Sequence, residues 1–228
     1  MSADPLVRGV EEEILGIPRL LALPEGPWAG FRPFPSLEEA HREIARLDAA
    51  AVVRPRRELE QDTEWKQPIP YAIALYRDPV TAEPFLFWMD RLSGTSDTRL
   101  HGRASFGVGG HISSSDGGIL AALQREWREE VATPSLPDFF PLGLLNDESD
   151  PVGTVHLGVV FLARLTSPSI EIRERHKLAG ALVPVSEAVR KSSELEGWSA
   201  RLITTIADRK STRLNSSHSQ QSRMPSSA

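Results

Sequence analysis

Between Gly107 and Val131 the sequence GVGGHISSSDGGILAALQREWREEV changes periodicity once, and that change limits what can surround it. The apolar, glycine-spaced run from Ser105 to Ile112 reads as a strand, and the polar stretch Ser113 to Gly118 breaks it. Leu120, Leu123, Trp127 and Val131 then recur at steps of three and four, which predicts one apolar stripe of a helix. Asp116 stands just ahead of that pattern, where a short side-chain oxygen can accept from exposed backbone N–H groups. Glu126, Glu129 and Glu130 are spaced i, i+3 and i+4, so their carboxylates share a second face beside the buried one. Three close acids repel one another. Either water solvates that face, as it does most acidic runs on helices, or a hard cation with oxygen ligands offsets it. Mg²⁺ is the usual ion where diphosphates are the substrate.

The arrangement of Gly109-Gly110, a short polar loop, and a helix carrying Arg125-Glu126-Trp127 and Glu129-Glu130 resembles the Nudix box. That box is written G-x5-E-x7-R-E-U-x-E-E-x-G-U, with U a bulky apolar residue. Gly110 matches the leading glycine, Arg125-Glu126-Trp127 the R-E-U, and Glu129-Glu130 the following acids. The chain departs from the formula in three places. Gly110 to Arg125 is one residue longer, so the early glutamate falls on Asp116 or Gly117; the closing glycine is Ala132; and Thr133 follows it. Three further stretches, beginning at Arg54, Arg99 and Leu142, look like a bacterial Nudix subgroup labelled predicted phosphoesterase. The likeness runs from about Glu11 to Ile206.

Size and composition set the frame. The 228 residues can bury one good core, and the net charge of −5 leaves no footprint for nucleic acid or an anionic membrane. The absence of cysteine removes disulfides, thiol nucleophiles and thiolate metal sites. It also sets aside the isopentenyl-diphosphate isomerases, which resemble Nudix proteins but rely on a cysteine. No apolar run reaches the ~20 residues needed to cross a bilayer, and the first residues lack the basic and apolar regions of a signal peptide. The expected location is the bacterial cytoplasm.

Along the chain, residues 1–60 read as a lead-in that packs on the core and brings no chemistry of its own. Glu13 to Leu23 fits a strand and turn, and Ser36 starts a helix with Leu37, Ala40, Ile44 and Leu47 as its stripe. Arg54, Arg56 and Arg57 are either phosphate ligands or ordinary surface arginines, and Trp65 either stacks on a base or covers the core edge. Residues 61–208 form the Nudix-like domain. Tyr71 to Tyr76 and Phe85 to Met89 predict a hairpin, and Arg91 to Arg103 a basic loop from which Arg99, His101 and Arg103 could reach substrate phosphates. His111 is either a neighbour of the acidic face or a substrate contact. Thr133 to Pro141 reads as a connection, Leu142 to Leu145 as a short strand, and Asn146 to Asp150 as an acidic turn. Val155 to Leu165 has the near-continuous hydrophobicity of a strand buried on both faces. The last helix carries Leu195, Trp198, Leu202 and Ile206 and ends near Asp208. Residues 209–228 are serine-rich, cannot bury anything, and look like translated vector or sequencing-adapter read-through.

The resemblance implies an α/β (α+β) fold, an αβα sandwich with a central mixed sheet and the box helix against it. It implies Mg²⁺, or Mn²⁺ in its place, held by Glu126, Glu129, Glu130 and the Gly110 carbonyl. The catalytic set would be Glu126, Glu129 and Arg125, with Arg125 orienting the acids by ion pairing. Asp116 would take the place of the early glutamate, and Trp127 would be core. Weaker substrate contacts fall on Arg99, His101, Arg103, His156 and Asp147. Asp147, Glu148, Glu171 and Glu174 are alternatives for the water-activating base, because Ala179 stands where subgroup members carry an acid. The implied activity is hydrolysis of the diphosphate linkage in a nucleoside diphosphate joined to a further group, a small-molecule substrate. A homodimer using the first 60 residues is compatible with this. The rival reading is a catalytically weak or inactive nucleotide-binding regulatory module.

Overall fold

The computed structural model describes residues 11–92, 103–173 and 178–212. Its elements run β1 (Glu13–Pro18), α1 (Arg19–Ala22), β2 (Gly30–Pro33), α2 (Leu37–Ala50), β3 (Val52–Pro55), α3 (Arg56–Leu59), β4 (Trp65–Arg77) and β5 (Pro84–Arg91). Next come β6 (Ala104–Ser105), β7 (Gly107–Gly109), α4 (Ile119–Glu130), β8 (Val131–Ala132), β9 (Asp138–Asn146) and α5 (Pro151–Val155). The chain finishes with β10 (His156–Leu165), β11 (Glu171–Ile172), β12 (Leu178–Pro184), α6 (Val185–Arg190) and α7 (Gly197–Thr212).

A mixed sheet organises them in the order β12-β5-β4-β10-β9-β2. Its centre is the parallel pair of β4 and β10, in register from Gln67 opposite His156 to Tyr76 opposite Leu165. Both strands are apolar through most of their length, as strands covered on two faces must be. Alternation then sorts β4. Ala72 and Ala74 face a cluster with Leu123 and Trp127 of α4 and Leu47 of α2. Ile73 and Leu75 face a second cluster with Val185 and Ala188 of α6 and Leu202 and Ile203 of α7. Small residues thus meet the helix with the bulky indole, and the result is helices on both faces of one sheet.

The other edge of β4 is divided among three partners, and this division makes room for a site. β1 pairs with Trp65 and Lys66, β7 with Tyr71 to Ile73, and β5 with Leu75 to Arg77. Between the first two, Gln67 to Pro70 has no partner in register on that side, and Pro68 and Pro70 lack the N–H a ladder needs. Here the chain leaving β7 turns away from β4 and crosses to β1: Leu15 donates its N–H to the Ile112 carbonyl at 2.9 Å, and Ile14 bridges Ser113. The first 60 residues enter the sheet at two places, since β2 pairs with β9 while β1 joins β4 and β3.

Several local expectations change. The buried stripe of α4 is Ile119, Ala122, Leu123 and Trp127, whereas Leu120 is 45% exposed. The helix starts at Ile119, directly after the polar break as expected and with Gly118 at φ 116°, but Val131 lies past its end in β8. Leu37 is exposed at the start of α2, though Ser36 caps that helix as its sequence predicts, accepting from the Glu39 N–H at 3.1 Å. β9 begins at Asp138, within the stretch that reads as a connection. A register shift in β10 between Val160 and Phe161, beside Pro141, accommodates the proline. α7 continues to Thr212, beyond the expected end near Asp208. No helix among the described residues is long and apolar enough to cross a membrane.

Candidate functional site

The box helix α4 is anchored from three sides. Its apolar stripe packs on β4 and β7, and the Trp127 indole N–H donates to Thr133 Oγ1 at 3.1 Å. Thr133, which replaces an apolar residue of the formula, therefore satisfies the one polar atom of a buried indole. The N-terminus is capped from afar: Asp48 of α2 accepts from the Ile119 N–H at 2.9 Å. Gly118 has no side chain with which to cap, and its Cα faces the Asp48 carboxylate closely enough that a Cβ would sit 3.0 Å from it. Asp116, the local candidate for that cap, is occupied elsewhere.

Arg125 is the hub. Its Nε and Nη2 grip Asp116 Oδ1 and Oδ2 at 3.0 and 2.9 Å in a two-point fork. Nη2 also donates to the His111 carbonyl at 2.9 Å, and Nη1 reaches Glu126 Oε1 at 2.9 Å and Glu129 Oε2 at 3.0 Å. Asp116 in turn accepts from the Ser113 N–H at 2.8 Å. The loop of one extra residue is thereby closed onto the helix. Hydrogen bonding to Arg125 holds the Asp116 carboxyl below its ordinary range, against the opposing effect of burial.

Glu126 and Glu130 line a cleft of about 280 Å³ with Arg125. Gly109, Gly110, His111 and Ser113 contribute the strand end, and Glu12, Ile14 and Arg56 the N-terminal segment. Gly110 leaves room for the Glu126 carboxylate: a Cβ there would lie 2.6 Å from Glu126 Oε1 and push it aside. Burial pushes the Glu126 carboxyl upward, and Arg125 opposes this only in part. Glu129 is 58% exposed and tied to Arg125. Among the described residues, no three His, Asp or Glu side chains are gathered on a single metal-sized centre. The donor set nonetheless suits Mg²⁺, which commonly takes one or two carboxylates and completes its shell with water and substrate phosphates. Two carboxylates beside a bare glycine backbone, one destabilised by burial, fit that description.

Behind the cleft wall, His111 Nε2 and His156 Nε2 are 3.2 Å apart. His156 Nδ1 must donate to the Val152 carbonyl at 2.6 Å, so in the neutral pair its Nε2 accepts from His111. Burial lowers the pKa of both rings, and Arg56 and His156 help bring His111 to about 4. His156 is thus a support for His111 and does not itself line the cleft.

The acidic turn is absent from the cleft as well. Asp147 pairs with Arg201 at 2.7 Å. Glu148, which reads as an exposed turn residue, takes both nitrogens of a cation pair: Arg19 at 2.6 Å and the fully buried Lys66 at 2.9 Å. Lys66 also donates to the Gly153 and His156 carbonyls, so this network fixes α5 and the start of β10. Arg103 donates to the Ser193 carbonyl, and neither it nor Glu171 lines the cleft. Arg99, His101 and Glu174 lie outside the described residues. Asp48, Glu12 and Ile14 are the site-forming residues that the sequence reading does not find.

No protein-family model matches the chain. It is 33% identical over 181 residues to protein YmaB of Bacillus subtilis, spanning 75% of this chain and 80% of that protein. The crystal structure of Tm1382, provisionally assigned as a Nudix hydrolase, matches with a TM-score of 0.69 and 29% identity over 86% of this chain and 99% of its own. The Nudix domain of Shewanella oneidensis NrtR, solved in complex with ADP-ribose, matches with a TM-score of 0.51 and 16% identity over 64% of this chain and 88% of its own, a likeness of fold.

Proposed function

The chain belongs to the Nudix hydrolase superfamily, and from that premise we propose that it cleaves the diphosphate bridge of a nucleoside diphosphate joined to a further group, with Mg²⁺ or Mn²⁺ as cofactor. The observation that carries this reading is the position of Glu126 and Glu130 in one cleft against Gly110, with Arg125 binding loop to helix. The metal's oxygen ligands would come from Glu126, Glu129 and Glu130 with the Gly110 carbonyl, Glu126 and Glu130 being the two that line the cleft. When bound, the ion supplies charge neutralisation at phosphorus and a more acidic water.

The protein's own share is placement, because phosphoryl transfer asks little covalent chemistry of its catalyst. Arg125 keeps the Ser113 to Gly118 loop closed, which holds Gly110 against Glu126. Glu129 holds the far side of the same guanidinium. Ile14 and the N-terminal segment wall the cleft, so carboxylates and phosphates meet with less competing water. The Asp116–Arg125 fork absorbs the extra loop residue, which supports catalysis over a purely regulatory role. The test is a panel of nucleotide sugars, dinucleoside polyphosphates, NADH, ADP-ribose and oxidised nucleotides, incubated with protein and Mg²⁺. Phosphate or a nucleoside monophosphate should be released, and a chelator should stop it. Binding without turnover across the panel would transfer the case to a nucleotide sensor.

A further inference from the structure

The N-terminal segment places one cation in the cleft that the reaction above does not use. Of the three clustered arginines, only Arg56 lines the cleft. Arg54 lies over the Trp65 ring, 4.6 Å from its centroid, and pairs with Glu58. Arg57 projects into solvent and pairs with Glu11. The cleft's other arginine, Arg125, has all three nitrogens committed to Asp116, Glu126, Glu129 and the His111 carbonyl. Turning it toward a ligand would open the loop it closes.

Arg56 is held differently. Its Nε meets Glu60 Oε1 at 2.8 Å and its Nη1 meets Glu12 Oε2 at 2.9 Å, and both carboxylates are about half exposed. Ion pairs of that exposure are weak, because water and salt screen them. A phosphate offers a guanidinium fork two oxygens and more charge than a carboxylate does. Replacing Glu12 or Glu60 by a phosphate at Arg56 therefore leaves the fold almost undisturbed. The lining agrees: the described residues of the cleft include no Phe, Tyr or Trp to stack on a base, its one imidazole, His111, is bonded to His156, and about 280 Å³ is small for a whole nucleotide.

We propose that Arg56 is a substrate-phosphate ligand, supplied by the N-terminal segment, that exchanges Glu12 and Glu60 for the diphosphate on binding. The inference rests on the diphosphate-hydrolase reading and narrows it, making the phosphates the part of the substrate this cleft recognises.

The experiment measures binding of methylenediphosphonate, a diphosphate that cannot be hydrolysed, by calorimetry on the full chain with Mg²⁺. It is paired with KM and kcat on the best substrate of the panel. Arg56→Ala should weaken binding and raise KM by about tenfold or more, with kcat within about threefold, as loss of a forked phosphate contact requires. Arg56→Lys, which keeps the charge without the fork, should fall between, and Arg42→Ala on the surface of α2 should stay within about twofold. Glu12→Gln and Glu60→Gln should tighten binding, since they remove competitors. A purely structural Arg56 would give the opposite sign. The proposal fails if Arg56→Ala binds within twofold of the native chain, or if Glu12→Gln weakens binding as Arg56→Ala does. A native chain that turns over diphosphates while Arg56→Ala matches it sinks only this assignment. A native chain that neither binds the diphosphonate nor turns over any substrate sinks the parent reading too.

Discussion

Replacing Arg125 by Met removes the hub of the loop–helix junction while keeping an unbranched side chain of similar length. The loss can be worked from its contacts. Asp116 has a side chain only 7% exposed and Glu126 one 14% exposed, and both lose their guanidinium partner. Removing one member of a buried ion pair costs about 3–5 kcal/mol. Arg125 is 30% exposed and Asp116 keeps the Ser113 N–H, so water and backbone recover part of that, leaving roughly 2–3 kcal/mol. For a chain of this size that is a fall in Tm of about 4–12 °C. Urea unfolding followed by circular dichroism measures it. The Asp116→Asn/Arg125→Met double variant should recover about 1 kcal/mol or more relative to the sum of the singles.

The pH dependence follows from the depressed Asp116 pKa. A carboxyl whose folded pKa lies below its ordinary 3.8 contributes stability that is complete above that value and lost as pH falls through the folded one. In Arg125→Met the largest cause of the depression is gone, and burial is opposed only by the Ser113 N–H. The stability gap between native chain and variant should be full at pH 7, begin to close as pH approaches 3.8, and keep closing below it. A loss under about 1 kcal/mol, or a gap that does not change on acidification, would refute the argument that a buried carboxylate is being left unpaired.

Three further outcomes are expected. Glu130→Gln should lower kcat at least ~10²-fold if its carboxylate is a metal ligand, and a loss under tenfold would remove it from that role. Gly110→Ala brings a Cβ within 2.6 Å of Glu126 Oε1; it should reduce kcat about tenfold with Tm within about 2 °C, because the flexible end of a side chain gives way before the backbone does, and full activity would refute the contact. Asp48→Ala should cost about 1 kcal/mol through the lost cap on Ile119. Asp48→Asn should keep most of that stability, since an amide oxygen can accept the same N–H and burial already disfavours the Asp48 charge; equal losses in the two variants, by urea unfolding, would disprove the cap.

What the sequence makes legible divides along contact distance. Ser36 and Glu39 lie within one turn, so that cap can be read directly. The R-E-U and E-E residues of α4 can be read from spacing, although at the first turn the buried position falls on Ile119 and Leu120 turns outward. Asp116 and Arg125 are nine residues apart across a loop, and the pairing that the resemblance implies for Arg125 needs only that loop to close. Asp48 is different: its capping of Ile119 links two helices with no local signature, and Gly118 merely leaves room for it. Lys66 and Glu148 mislead in the same way. A lysine in a polar stretch and an acid in a turn both look solvated until β4 and β10 bring them together. Glu12, Ile14 and Arg56 reach the cleft only because β1 pairs with Trp65 and Lys66, next to the stretch of β4 that two prolines leave unpaired.

That pairing has a consequence for how the molecule is made. β2 finds its partner only when Asn146 exists, and β1 needs both β4 and the crossing at Ile112. At roughly 5–20 residues per second of synthesis, the opening sixty residues can form their own β1–β3 pair but wait several seconds outside the ribosome for the central sheet. The nascent chain should therefore depend on a holding chaperone at its front end, and acquire protease resistance late and all at once.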